Sequence, residues 1–324
     1  MKYGQLLPEK YQKKTRPIFK HFMVFNMKNS PLSGLIIRTA IVRNRYIGYI
    51  YACDLEKERN DIPHTITFKW ESGNFHQGNN DYNAHSVCIA ETPLTCLLSL
   101  SEEGYYSIIT AAGNYLGNIP DDSSPAPDKP RFYGFRSLSS VDGMAYAVGL
   151  RGMVYRMDEM QKWTRIDDYL PETFDIQALD GFDGSNLFAV GWNGELWRYT
   201  DSSWLKEELP TNENLTAVKC GGDGNVYIAG HNGMLLYGRP GIWEVIENEC
   251  FDSDIWDLEW FENRLYISTL SGVYVLKGSD IEKVEFSDDK PKSYYQLSTA
   301  DNVLWSNGEY DIFSYDGIKW TRIV

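Results

Sequence analysis

The chain has 324 residues, of which 43% are hydrophobic and 14% aromatic, which excludes a disordered protein and is enough apolar surface for a substantial core. Its net charge of -14 is uneven: residues 1–60 hold twelve Lys or Arg against four Asp or Glu, leaving -22 on the remainder. A body of that sign repels nucleic-acid phosphates and anionic membranes and attracts a basic protein.

The first segment, MKYGQLLPEKYQKKTRPIFKHFMVF, is basic and lacks an apolar stretch followed by a small-residue cleavage site. With no long apolar run later in the chain, a reducing cytoplasm is the expected compartment. Four strand-like runs follow at residues 19–27, 33–42, 45–55 and 64–72, and together they read as one diverged sheet. Residues 71–85 are polar and rich in turn formers, so they read as a long inter-strand loop. A metal or glycan site at His64, His76 and His85 is the alternative. From Leu94 the run LTCLLSLSEEGYYSIITAAGNYLGNIP supplies inner, second and third strands, with Gly113 at its central turn. The Pro- and Asp-rich residues 121–130 stand where a fourth strand would be.

From residue 141 the chain repeats itself. VDGMAYAVGLRGMVYRMDEMQKWTRI is followed by FDGSNLFAVGWNGELWRYTDSSWLKEEL and GDGNVYIAGHNGMLLYGRPGIWEVI, with weaker copies beginning at Phe261 and Ala300. Gly149, Gly191 and Gly230 are 42 and 39 residues apart, and Trp163, Trp204 and Trp243 are 41 and 39 apart. A period near forty indicates propeller blades. Each unit decodes into an inner strand, an Asp-Gly hairpin (Asp142-Gly143, Asp183-Gly184, Asp223-Gly224), a Tyr-Ala-Val-Gly second strand, a Gly-x-x-Gly turn, and a Trp-bearing outer strand. The expected fold is therefore all-β, a single β-propeller over residues 1–324 with seven four-stranded blades. Residues 1–130 form diverged blades with long loops and 131–324 five regular ones; six blades plus an N-terminal appendage is the alternative. Closure must come from packing between the first and last blades or from an N-terminal strand joining the last sheet.

The phrase YAVGxxGxxxR and the later YDGxxW, with Asp316 to Trp320 reading as a degenerate Asp-box, resemble the BNR and photosystem-assembly-factor type of propeller repeat. The resemblance implies the fold; its members include sialidases, assembly factors, lectin-like binders and toxin-neutralising proteins, so it leaves function open. The sialidase arginine cluster and Tyr/Glu pair have no counterpart here.

Catalytic motifs are missing as well. The five histidines make no HxH or HExxH, and there is no GxSxG elbow, P-loop or dinucleotide fingerprint. Asp252-Ser253-Asp254 and Glu102-Glu103 lack calcium-loop spacing. Cys53, Cys88, Cys96, Cys220 and Cys250 have no CxxC spacing and read as ordinary buried thiols. No cofactor or metal is implied.

In a propeller, the connections between second and third strands and those leading into each inner strand share one face. The register places Arg151, Trp192, Asn193, His231, Asn232, Leu270, Glu309 and Tyr310 in the first set, and Tyr133, Phe174, Asp175, Glu213, Asp252, Asp254, Trp256 and Tyr294 in the second. Aromatic anchors rimmed by acids suit protein recognition; packing between blades is the alternative for Trp192 and Trp256. The expectation is a non-enzymatic, cytoplasmic protein-binding propeller, monomeric on its own, that holds a basic protein, in one version as a bacterial immunity-type inhibitor of a toxin. A glycan-binding or glycan-cleaving propeller and an assembly factor or scaffold are the alternatives.

Overall fold

The computed structural model describes residues 31–119, 134–286 and 289–324. They form seven four-stranded antiparallel sheets, each an up-and-down meander. Blade 1 runs from the inner strand Leu35–Asn44 to the outer strand Asn74–Asn80, blade 2 from Ala84–Ala90 to Gly113–Asn118, and blade 3 from Phe135–Val141 to Lys162–Arg165. Blade 4 runs from Ile176–Asp183 to Ser203–Glu207, blade 5 from Leu215–Cys220 to Ile242–Val245, blade 6 from Ile255–Phe261 to Asp280–Lys283, and blade 7 from Gln296–Ala300 to Trp320–Arg322. The inner strands stand side by side in a closed ring, with blade 7 against blade 1. This is the seven-bladed propeller, and the six-bladed alternative falls away.

The first two blades differ from the sequence reading. The expected strand at 19–27 lies outside the described residues, and blade 1 instead completes itself with Asn74–Asn80, inside the stretch read as a loop. That strand, NFHQGNN, pairs with Thr65–Glu71 through residues Thr65 to Glu71 in unbroken register, yet its polar outer side gives little hydrophobic alternation to detect. Blade 2 moves by one strand: Ala84–Ala90 is its inner strand, and Gly113 opens the outer strand rather than closing the second. Residues 121–130 lie outside the described residues.

In the regular blades the central glycines have a steric reason. Each ends its second strand where the inner strand of the same blade passes so closely that a Cβ on Gly149, Gly191 or Gly230 would meet the carbonyl oxygen of Gly134, Asp175 or Asn214. The Asp-Gly hairpins are less uniform than expected. Asp142 and Gly143 both take positive φ (49° and 75°), as a type I′ turn requires. Asp183 instead accepts the Ser185 N–H and hydroxyl in an Asx turn, and blades 6 and 7 turn on Glu262-Asn263 and Asp301-Asn302 with no glycine at all. Loss of glycine there explains why those copies are faint in the sequence.

The core is divided among the seams. Seven buried apolar clusters fill the seven interfaces between neighbouring blades, among the described residues. Second strands are enclosed on both sides, which is why Ala145, Tyr146, Ala147 and Val148 are all fully buried and read as a continuous apolar run. Six seams carry a further link between inner strands made by a channel-side residue. Ser86 Oγ accepts from Leu138 N (2.8 Å), Ser139 Oγ donates to the Leu179 carbonyl (2.6 Å), and Asp180 accepts from Cys220 N (2.8 Å). Thr216 Oγ1 donates to the Ile255 carbonyl (2.6 Å), Asp257 accepts from Leu297 N (2.9 Å), and Ser298 Oγ accepts from Val42 N (3.1 Å). Each link satisfies a backbone group at a seam that no sheet ladder reaches.

The ring closes by packing. Leu32, Ile37, Val42, Ile50 and Phe68 of the N-terminal side meet Val303, Trp305 and Ile312 of blade 7. The Trp305 ring lies over Gly48, where any Cβ would collide with it, and meets Trp70 edge-on at 5.6 Å and 68°.

Candidate functional site

The candidate face is built on a turn used three times. Between second and third strands, blades 3, 4 and 5 place Arg151-Gly152, Asn193-Gly194 and Asn232-Gly233 in left-handed conformation, with φ of 60° and 68°, 60° and 68°, and 55° and 68°. In each case the N–H of the first turn residue donates to a side chain at the head of the next blade: Arg151 to Asp175 (3.2 Å), Asn193 to Asn214 (3.0 Å), Asn232 to Asp254 (3.0 Å). Asp175 and Asp254 thus fix the turns of the preceding blade. Asn is one of the few non-glycine residues that tolerates this φ; Arg151 is not, so its position costs strain on the order of 1–2 kcal/mol. Its guanidinium is held by Glu172 at 2.5 Å, which keeps that carboxylate below its ordinary range.

The residue just before the left-handed pair changes identity: Leu150, which packs against Gly134, the exposed Trp192, and the half-buried His231. Trp192 is 44% exposed, which is not the packing of an inter-blade filler. Leu270 and Tyr310 occupy the shorter equivalents in blades 6 and 7 and are 60% and 54% exposed. Beside Tyr310, Glu309 sends its carbonyl to Ile37 N (2.9 Å) across the closing seam, while its carboxylate pushes the Tyr310 hydroxyl up. Asp252 is exposed, and Glu213 accepts from Asn232 Nδ2 (3.0 Å).

Two aromatic positions read differently in three dimensions. Tyr294 turns into the seam between blades 6 and 7 and packs on Phe286 at 5.9 Å. Its neighbour Tyr295, absent from the sequence reading, faces out and stacks on Trp256 at 5.1 Å and 14°. Trp256 therefore bridges blades 6 and 7 at the channel mouth. Its Nε1 is enclosed and meets no acceptor among the described residues. Adjacent Tyr codes gave no signal as to which would be exposed. Tyr133 lies outside the described residues.

Below the mouth, the inner strands enclose a channel of about 610 Å³. Lys219 and Glu259 pair across the seam between blades 5 and 6 at 2.7 Å. Burial works against the Lys219 charge, but Glu259, Asp180 and Asp257 outweigh it and hold the ammonium above its ordinary range. Asp257 is pushed up to about 7, first by burial and then by the nearby Glu259, against the pull of its backbone donors and Lys219. A carboxyl titrating there could move a proton, yet both its oxygens already accept backbone N–H groups, from Leu258 (2.8 Å) and Leu297 (2.9 Å). Its evident work is to join strands.

The histidines do not form one site. His64 pins the connection between residues 54 and 64, accepting from Asp54 N (2.7 Å) and bonding the Ile62 carbonyl (2.8 Å). His76 sits on the outer strand of blade 1, and His85, whose charge burial disfavours, meets the Arg136 carbonyl at 3.2 Å. No group of three His, Cys, Asp or Glu side chains is placed to hold a metal among the described residues. Of the cysteines, Cys53, Cys88 and Cys96 are buried and Cys220 half-buried, but Cys250 is exposed, contrary to the sequence reading, because it falls in the connection into blade 6.

No family model matches the chain. Over 307 residues it is 33% identical to the immune protein Tsi7 of Pseudomonas aeruginosa PAO1, covering 91% of this chain and 99% of Tsi7. Among solved structures it is similar to virginiamycin B lyase from Staphylococcus aureus, with a TM-score of 0.65 at 11% identity over 91% of this chain and 98% of the other. It is also similar to the WD40 β-propeller domain of Doa1, with a TM-score of 0.61 at 9% identity over 89% and 92%. At those identities the two structures speak for the propeller alone.

Proposed function

The chain belongs to the family of the immune protein Tsi7, and we propose that it is an immunity-type propeller that binds and neutralises a basic protein toxin, without catalysis, through the face described above. The relationship to Tsi7 carries this reading, since it covers 91% of this chain and 99% of Tsi7. The charge agrees with it: a body of -22 over residues 61–324 speeds the encounter with a basic partner. The face offers Trp192, Leu270 and Tyr310 as anchors among Glu213, Asp252 and Glu309, and a few buried aromatic anchors carry most of the energy of such contacts. As parts of the same proposal, the repeat is of the BNR and photosystem-assembly-factor kind, and the chain is a cytoplasmic monomer until its partner arrives.

The test is capture of the tagged chain from its source cell followed by mass spectrometry. One stoichiometric basic protein is expected, and its activity is lost on addition of the propeller. Recovery of nothing above background would sink the proposal. Trp192→Ala is expected to weaken the complex about tenfold or more while leaving the urea midpoint unchanged.

A further inference from the structure

Four carboxylates occupy each of two connections on the face, and they are treated differently. Residues 166–175, leading into blade 4, hold Asp167, Asp168, Glu172 and Asp175. Arg165 pairs with Asp167 at 2.6 Å and Arg151 with Glu172 at 2.5 Å, so half of that charge is met within the chain. Residues 246–254, leading into blade 6, hold Glu247, Glu249, Asp252 and Asp254 and contain no Lys or Arg. Asp254 accepts a backbone N–H, and among the described residues no Lys, Arg or His pairs with any of the four.

The same sector carries three exposed apolar groups of the face, while Tyr169, 81% exposed, and Trp192, 44% exposed, lie outside it. Leu270, Tyr295 and Tyr310, at 60%, 37% and 54% exposure, follow the unpaired loop in ring order, and the Trp256–Tyr295 stack stands beside it with its indole N–H unmet. Around blades 1 to 3 the cations of the face are already engaged: Arg38 with Glu58, Arg136 with Glu102, Arg151 with Glu172. A basic surface approaching that side must displace an existing partner to reach Glu58, Glu102 or Glu172, and finds only Asp168 exposed and without an ion pair in residues 166–175. One approaching blades 5 to 7 meets free carboxylates at the rim and apolar side chains inside it.

We infer, on the basis of the function proposed above, that the partner docks off-centre, over blades 5 to 7, with a patch of Arg or Lys side chains against residues 246–254 and an apolar group on Leu270, Tyr295 and Tyr310. The loop sets the orientation and the rate of encounter, and the apolar group sets the lifetime.

The probe is a synthetic dodecapeptide of alternating Arg and Leu, titrated into the isotope-labelled protein at low salt while the indole N–H signals of its ten Trp residues are followed. The Trp256 signal is expected to shift and those of Trp163 and Trp204 to stay. Glu247→Lys with Glu249→Lys and Asp252→Lys is expected to weaken the peptide about tenfold at low salt, whereas Asp168→Lys with Glu172→Lys weakens it less than about threefold. Equal losses from the two sets, or a shift confined to Trp163 and Trp204, would overturn the off-centre docking and leave the immunity reading standing. Peptide binding at residues 246–254 with no partner captured from the cell would do the reverse. Unaltered urea midpoints in both sets confirm that the comparison is of folded proteins.

Discussion

Two seams of the ring can be set side by side, the one between blades 3 and 4 and the one between blades 7 and 1. In the first, the chain crosses directly through residues 166–175, Trp204 Nε1 donates to the Ile166 carbonyl (2.7 Å), and Ser139 Oγ reaches the Leu179 carbonyl. Covalent continuity holds those blades at high effective concentration, and packing adds to it. Within the described residues no strand is exchanged across the second seam, whose sheets are built from opposite ends of the chain. Apart from the Glu309 carbonyl accepting from Ile37 N, side chains do the closing among the described residues, and the largest fully buried one of them, Trp305, is found there. The exposed Arg45–Asp301 pair at 3.5 Å adds little. The difference teaches that equivalent positions in a repeat need not bear equal loads.

The strongest way to break the comparison is Trp305→Ala. It is expected to cost about 3–5 kcal/mol and to quicken amide exchange in both blades 1 and 7. Trp204→Ala should lose a comparable amount but keep the faster exchange within blades 3 and 4. Unchanged exchange in blade 1 after Trp305→Ala would mean that closure does not hang on this residue. Next comes Gly48→Ala, which sets a methyl group against the Trp305 ring and is expected to cost about 1–3 kcal/mol. Because the two sites touch, the double variant should lose less than the sum of the singles in urea titrations, whereas Gly48→Ala with Trp204→Ala should be additive.

The seam between blades 6 and 7 sharpens the picture through pH. Asp257 has an ordinary carboxyl value when unfolded and about 7 when folded, so the native state binds more protons between those limits. Stability from this group is therefore complete below the ordinary carboxyl range, is lost as pH rises from there to about 7, and changes no further above it. Asp257→Asn keeps an acceptor for Leu297 N and should remove that slope, leaving the variant more stable than the parent at pH 8 by on the order of 1–2 kcal/mol. A parallel slope in the variant would contradict the assignment. The smallest effects are the single seam links: Ser298→Ala and Ser139→Ala should each cost about 1 kcal/mol, measured as shifts in the urea midpoint, with neither seam more sensitive than the other to so local a change.

Blades 3 to 5 were legible because their turns need glycine, and blades 6 and 7, whose first hairpins carry none, left fainter copies. A period carried by Gly149, Gly191 and Gly230 reflects a close approach of backbone to backbone, and such a constraint writes itself into the sequence wherever it recurs. Blade 1 has no such constraint, and its outer strand is polar enough to pass for a loop; blade 2 was then read one strand out of place. The face was legible to the extent that the turn register fixed it, so Trp192, Leu270 and Glu309 lie where the repeat put them. What register could not give was the direction of a side chain at a strand head, hence Tyr294 for Tyr295. Nor could it give the pairing of Arg151 with Glu172, which helps to separate residues 166–175 from 246–254.

The three left-handed turns have one more consequence. Their shape is set by Gly152, Gly194 and Gly233 and by acceptors borrowed from the following blade, Asp175, Asn214 and Asp254. The residue ahead of each pair joins the turn through its backbone alone in blades 4 and 5, so the side chains of Trp192 and His231 behave like interchangeable bits on a fixed tool. Under the proposed function, a protein built this way revises what it grips one letter at a time without renegotiating how it folds.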